Sequence, residues 1–201
     1  LEEFRAALPS SDPTLIWAAG ILQEYEEAQE SGFNSRTLVQ QSAGCAFAES
    51  FAGFLRSRRS VRQLSKRQIE VDQIEEIVAA VNWSPTSCNR QSAQVFATLD
   101  AAKTERVARR FAGCTGFSTP IPVIIVFCSD LRAYSMPMEQ HLPAIDISLG
   151  VQACALMAHS IGLSMTLMSW AHHSPGDDQI VREVLGIPDW CQIIVGAVVG
   201  Y

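Results

Sequence analysis

The chain has 201 residues, of which 48% are hydrophobic and 18% charged. That composition suits one folded domain with a sizeable core and excludes a disordered chain. A net charge of −6 argues against nucleic acid or an anionic membrane as the main partner.

Apolar runs such as "IPVIIVF" (121–127) suit a buried strand and are too short to span a bilayer. The six cysteines are widely spread, with no C-x-x-C and no Cys/His set at zinc spacing, so no metal site is expected. Reduced, mostly buried thiols in a cytoplasmic protein are expected instead. The sequence opens on Leu1 rather than Met, and a longer natural chain is expected.

Residues 14–30 carry apolar residues at helical spacing. Residues 37–56 repeat the pattern, with Leu38, Ala46, Phe47, Phe51, Phe54 and Leu55 on one side. These two predicted helices form an N-terminal extension over residues 1–55. A cationic segment, "RSRRSVRQLSKR" (56–67), opens the second domain, residues 56–201. An amphipathic helix follows over 70–82, with Ile74, Ile77, Val78 and Val81 inward.

Beyond the neutral turn "SPTSCNRQ" (84–91), the pattern predicts a strand over 93–99 and a helix over 101–111. Residues 122–128 lack polar alternation and read as a central strand buried on both faces. A long helix rich in small residues covers 143–161 and stops at Gly162. A strand over 164–170, a helix with an acidic first turn over 174–186 and a strand over 192–201 complete the chain. Strands separated by helices give an α+β layered domain.

Two segments carry the chemistry. The cationic one holds Arg56, Arg58, Arg59, Arg62, Lys66 and Arg67 with no acid among them. It reads either as a solvated surface turn or as an anion site, since a guanidinium fork matches two phosphate oxygens. In the turn, Ser84-Pro85 stops the helix, but Ser87, Asn89 and Gln91 are more neutral polar groups than a turn needs. They suit a neutral polar ligand such as a heterocycle or a sugar-alcohol chain. His172 and His173 are adjacent, so in a strand they would face opposite ways, and a loop reading is preferred to a metal site. Asp177 and Asp178 read as helix N-terminal carboxylates.

In order along the chain, "RRSVR" (58–62), "SPTSCNRQ", "IPVIIVF", "AIDISLGVQACALMAHSIGLS" (144–164) and "LGIPDWCQIIVGAVVGY" (185–201) resemble the flavin-dependent nitroreductase family. The resemblance runs from about Phe54 to Tyr201. "CNRQ", "GF" (116–117), "SDLRAY" (129–134) and "LGIPD" further resemble a subgroup with an N-terminal helical extension, associated with surface-polysaccharide gene clusters.

The resemblance implies a nitroreductase-like fold, a mostly antiparallel central sheet flanked by helices. It also implies a homodimer with FMN bound non-covalently at the interface. Carried over by residue, Arg58, Arg59 and Ser60 would hold the phosphate and the nearby ribityl end, and Arg62 would lie near the pyrimidine edge. Pro85, Thr86, Ser87, Asn89 and Gln91 would come from the other subunit. Asp146 matches a position facing the flavin, and the backbone of Leu167, Met168, Ser169 and Trp170 would pass the ring.

No catalytic side chain is expected, because the chemistry belongs to flavin N5. NADH or NADPH would be the hydride donor, and a nitroaromatic, quinone or similar small molecule the acceptor, in ping-pong order. The alternatives are a flavin-dependent dehydrogenase or oxidase in a biosynthetic pathway, and a flavin-binding accessory protein without turnover. Three departures stand out: Cys114 where many relatives carry Asn, Ser92 in place of Pro, and an end at Tyr201 where relatives continue with a tail that brings basic residues to the phosphate.

Overall fold

The computed structural model describes residues 16, 19, 20, 23, 48–117 and 120–201. The chain divides into two compact units, Leu1–Phe54 and Leu55–Tyr201. In the first, Ile16, Ala19, Gly20 and Gln23 are helical. The rest of the helix expected over 14–30, and residues 37–47 of the second, lie outside the described residues. Helix α1 (Ala48–Ser57) crosses from one unit into the next.

In the second unit, α2 (Val71–Ala79) buries Ile74 and Ile77. Gln73 Oε1 accepts from the Glu70 amide at 3.2 Å, which satisfies one of the amides a helix start leaves unpaired. The sequence pattern runs helically to residue 82. The backbone instead tightens into a 3₁₀ turn over Ala80–Trp83 before Ser84-Pro85 ends it. Val81 is still inward, against Gly150, where a Cβ would come within 2.4 Å of its side chain. Close approach of the two backbones therefore requires glycine at 150.

Strand β1 (Ala93–Thr98) is followed by α3 (Ala101–Ala108), capped by Asp100 accepting from the Lys103 amide at 2.8 Å. Then come β2 (Val123–Asp130), α4 (Leu142–Ser160), β3 (Ser164–Ser169), α5 (Pro175–Leu185) and β4 (Cys191–Gly200). Ser174 caps α5, and Gly186 ends it at φ 70°, the left-handed conformation that favours glycine.

The four strands form one sheet in the order β1-β2-β4-β3, antiparallel throughout. Along β2, successive residues serve opposite faces. Val123, Ile125 and Phe127 pack with Ile77 of α2 and Ile147 and Val151 of α4. Ile124, Val126 and Cys128 pack with Val107 of α3 and Val181 of α5. β2 is thus buried on both sides, as its unbroken apolar run predicts, and each such side chain contributes about 1.5–3 kcal/mol.

The second unit is therefore an α+β layered domain with helices on both faces of an antiparallel sheet. The stretch Pro137–Ser160, which ends in α4, is long and apolar enough to cross a membrane, but 44% of its apolar 18-residue window is buried inside the protein, as befits a core helix. Its outer face is mixed: Ile145 and Leu149 are about half exposed, beside the exposed Ser148 and Gln152.

Candidate functional site

The sequence-predicted residues fall into two groups, at opposite corners of the sheet. The first lies along the β3 edge. The cationic segment runs beside this strand, tied to it by side chains rather than by a backbone ladder. Ser164 Oγ donates to the Arg59 carbonyl at 3.5 Å and Thr166 Oγ1 to the Val61 carbonyl at 3.0 Å. Ser65 N donates to the Tyr201 carbonyl at 2.7 Å, and Leu64 fills the space above Gly200.

Along this segment Arg59 and Arg62 are exposed and Arg58 is half-buried. Arg59 Nη1 donates to the carbonyls of Arg56 and Arg58. Among the described residues, neither Arg58 nor Arg59 is ion-paired with a carboxylate. Both line a cleft of about 460 Å³ with His159, Ser164 and Tyr201, and Ser60 beside them is exposed. The Arg62 guanidinium lies 5.8 Å from the Phe117 ring, over the loop that contains Cys114.

At the far end of β3, Leu167, Met168, Ser169 and Trp170 border a cavity of about 750 Å³ reaching to Ser148 of α4 and Gln192 of β4. Met168 is buried and Leu167 is 47% exposed, the alternation of an edge strand. The amide and carbonyl of Ser169 are both taken by Ala112, at 3.1 and 3.0 Å. The Ser169 backbone thus anchors the loop after α3. Since backbone groups alternate sides along a strand, those of Leu167 share the outward direction of Ser169. Trp170 is wedged between Phe111, with ring centroids 4.5 Å apart, and His173, 4.3 Å away and nearly parallel. His173 sits in the turn before α5 and Nδ1 contacts the Trp170 carbonyl at 2.5 Å, in keeping with a loop role.

The second group is the neutral turn, at the start of β1. Cys88, Asn89 and Gln91 have φ of 53°, 53° and 49°, a left-handed conformation costing an L-residue roughly 1–2 kcal/mol. Within the turn, the Asn89 amide donates to the Thr86 carbonyl at 3.0 Å and the Gln91 amide to Thr86 Oγ1 at 3.1 Å. Pro85 and Asn89 are exposed, while Thr86 and Ser87 are half-buried.

Asp146 is buried, 4% exposed, and its carboxylate is turned to the protein. Oδ1 accepts from Ser87 N at 3.0 Å and Ser87 Oγ at 2.8 Å, and Oδ2 from Tyr134 Oη at 2.8 Å. Tyr134 Oη also contacts Ser92 Oγ at 2.7 Å, which accepts from Ser129 Oγ at 3.0 Å. Burial, with Asp146 beside it, pushes the Tyr134 hydroxyl above its ordinary range. Arg90 pairs with Glu139 and lies 5.1 Å from the Tyr134 ring. Sequence reading missed Tyr134, Ser92, Ser129 and Glu139 as parts of this site. Tyr134 lies in "SDLRAY", where nothing local points to its partner.

A profile of the nitroreductase family matches residues 55–120 and 116–201. The chain belongs to the nitroreductase family. It is 23% identical over 159 residues to the FMN reductase [NAD(P)H] of Bacillus subtilis, an alignment covering 73% of this chain and 64% of the Bacillus protein. It is 28% identical over 148 residues to an Archaeoglobus fulgidus protein provisionally named NADH dehydrogenase/NAD(P)H nitroreductase, covering 71% and 79%. The fold matches that of an FMN-dependent nitroreductase from Clostridium difficile with a TM-score of 0.63 at 21% identity, over 75% of this chain and 86% of that one.

This membership agrees with the architecture: the five motifs of the family resemblance map to the cationic segment, the turn before β1, β2, α4 and β4.

Proposed function

We propose that this nitroreductase-family chain is an FMN-dependent oxidoreductase that takes reducing equivalents from NADH or NADPH and passes them to a small organic acceptor, a nitroaromatic, quinone or similar molecule. The observation that carries the reading is the β3 edge. Among the described residues, Arg58 and Arg59 stand there without carboxylate partners, and the same strand leads to a cavity of about 750 Å³. A phosphate needs the first, and a planar ring with polar edges needs the second. The likeness to the Bacillus FMN reductase [NAD(P)H] and to the Archaeoglobus NAD(P)H nitroreductase supports the same donor, and the Bacillus protein supports the flavin.

The residues fit the group. Arg58 and Arg59 would meet its phosphate through charge-assisted hydrogen bonds, and Arg62 would set positive charge near the pyrimidine edge. Leu167 offers backbone groups on the open side of β3, and Met168 and Trp170 keep water from the floor behind them. Bound FMN supplies the two-electron redox chemistry; the chain binds, orients and desolvates. Donor and acceptor use the same cavity in turn, and no side chain is assigned as acid or base.

The site is shared between two copies. From β1 to β3 is three inter-strand spacings, roughly 14 Å. Thr166 beside the cationic segment is level with Ile124, through Val198, whereas Ala93 after the turn is level with Ser129, a further offset along β2 of roughly 17 Å at 3.4 Å per residue. One chain therefore holds the two motifs about 20 Å apart on the diagonal. A two-fold partner can bring its turn to the first chain's arginines, and the half-exposed Ile145 and Leu149 of α4 suit such a contact.

Calorimetry of cofactor-free protein with FMN and with riboflavin tests the reading. One FMN per chain is expected. Arg58→Ala should weaken FMN by roughly tenfold and leave riboflavin nearly unchanged. Loaded protein should oxidise NADH or NADPH with a quinone. Absence of FMN binding, or bound flavin that neither nucleotide reduces, overturns the proposal.

A further inference from the structure

The turn before β1 holds a conformation that its own residues resist. Three of the four residues from Cys88 to Gln91 are left-handed, and none is glycine. Such a shape persists only where the surroundings over-determine it. The internal bonds from Thr86 close the turn but do not fix it to the domain. That fixing comes from carboxylates on other elements, the buried one being Asp146.

The directions of the hydrogen bonds can be assigned. A carboxylate accepts only, so Ser87 N, Ser87 Oγ and Tyr134 Oη all donate to Asp146. Tyr134 has then spent its one proton, and its contact with Ser92 Oγ at 2.7 Å requires Ser92 to donate. Ser92 is left to accept, and Ser129 Oγ donates to it at 3.0 Å. The hydroxyls thus point one way, from Ser129 to Ser92 to Tyr134 to Asp146, and each polarises the next. Ser92, Ser129 and Asp146 are at most 4% exposed, so three members of the chain are shielded from water. The chain joins the end of β2, the start of β1, the turn after β2 and α4. Arg90, inside the strained turn, is held in parallel by Glu139, whose carboxylate also accepts from the amides of Ser135 and Met136.

We infer that Asp146 is a positioning residue: with Tyr134 and Ser92 it clamps the 84–91 turn in the strained shape in which that turn meets the cofactor, and it does not itself touch the cofactor. This inference rests on the proposed function for the word cofactor and on the geometry alone for the clamp. The clamp pre-forms the turn, so ordering it is not charged against binding.

The test uses Tyr134→Phe, which keeps the ring and removes only the link, and Asp146→Ala, which removes the sink. Amide hydrogen exchange is followed in the cofactor-free full chain. Exchange at residues 86–92 should speed up in both variants, while residues 124–127 of β2 stay as protected as in the unaltered protein. FMN titration should show a dissociation constant raised about tenfold or more in Asp146→Ala, less in Tyr134→Phe. The double variant should be no weaker than Asp146→Ala, because both act through one chain.

Unchanged exchange at the turn in both variants overturns the clamp. FMN losses that add fully in the double variant overturn the single chain. An unaltered protein that binds no FMN overturns the functional reading and leaves the exchange result to judge the clamp. Should Asp146→Ala fail to fold, Tyr134→Phe decides alone, with Ser92→Ala as its expected equal.

Discussion

Gly196, in the middle of β4, lies directly under the Phe111 ring: a Cβ built there would come within 2.8 Å of Phe111 Cδ1 and Cε1. Phe111 is 3% exposed and packs on Trp170, so the ring has no room to retreat. Gly196→Ala is expected to destabilise the protein by about 1–3 kcal/mol through overpacking. Urea unfolding of the two proteins measures it. The strain should be relieved in the double variant with Phe111→Leu, and equal stability of Gly196→Ala and the parent would show that β4 shifts freely.

Acid stability should follow the carboxylates that the fold has committed. The side-chain and backbone hydrogen bonds of Ser174, with Arg110 beside them, hold Asp177 below its ordinary 3.8. The Met136 amide and Arg90 do the same for Glu139, ordinarily 4.5, and the Arg132 guanidinium for Asp130. Each is a depressed folded-state pKa. The stability it contributes is complete above the ordinary value and is lost as pH falls through the folded one. Thermal midpoints should therefore be flat from about pH 7 to 5 and fall below about pH 4. Asp177→Asn, which can still accept at the helix start, should make the fall shallower. A midpoint that falls equally steeply in that variant would remove Asp177 from the account.

The thiols give a third expectation. Burial pushes Cys128 and Cys154 up to about 12 and raises Cys191 and Cys114 as well. Cys88 is exposed on the strained turn. Since the thiolate is the nucleophile, iodoacetamide at pH 8 should label Cys88 well before Cys128, Cys154 or Cys191, with Cys114 between them, as followed peptide by peptide in the mass spectrum. If the turn lines the cofactor site, FMN should slow the labelling of Cys88. Early labelling of Cys128 or Cys154 would mean that the core opens far more readily than its packing indicates.

How much of this could be read from residues alone depends on how local each cause is. The unbroken run from Val123 to Cys128 announces a strand buried on both faces, because burial on two sides needs apolar residues at every position. Ser174 with Asp177 announces the start of α5 for a similarly local reason. The end of α2 was less legible: Val81 keeps the helical period, and only its close contact with Gly150, 69 positions further on, goes with the tighter turn. The cationic segment showed its charge but not its place, which depends on Ser164 and Thr166 more than a hundred residues away. Asn89 tolerates a left-handed backbone on its own account, but Cys88 and Gln91 do not. Their conformation belongs to a site whose other half, Asp146 and Tyr134, is assembled only by the fold.

The last expectation concerns the shared site. In one chain the arginines at β3 and the turn at β1 are at opposite corners of the sheet, too far apart for one ring to meet both. If a two-fold partner supplies the turn, each pocket combines Arg58 of one copy with Asn89 of the other. An Arg58→Ala homodimer and an Asn89→Ala homodimer then each carry two damaged pockets. In a hybrid of the two, one pocket collects both defects and the other collects neither. Co-expression with different tags and sequential affinity purification isolates that hybrid. Titration should give one tight FMN site per dimer, half the stoichiometry of the parent, with an affinity equal to the parent's. A hybrid that binds FMN no better than the single-variant homodimers would show that each chain builds its site alone, and the diagonal separation of the two motifs would then need a different cause.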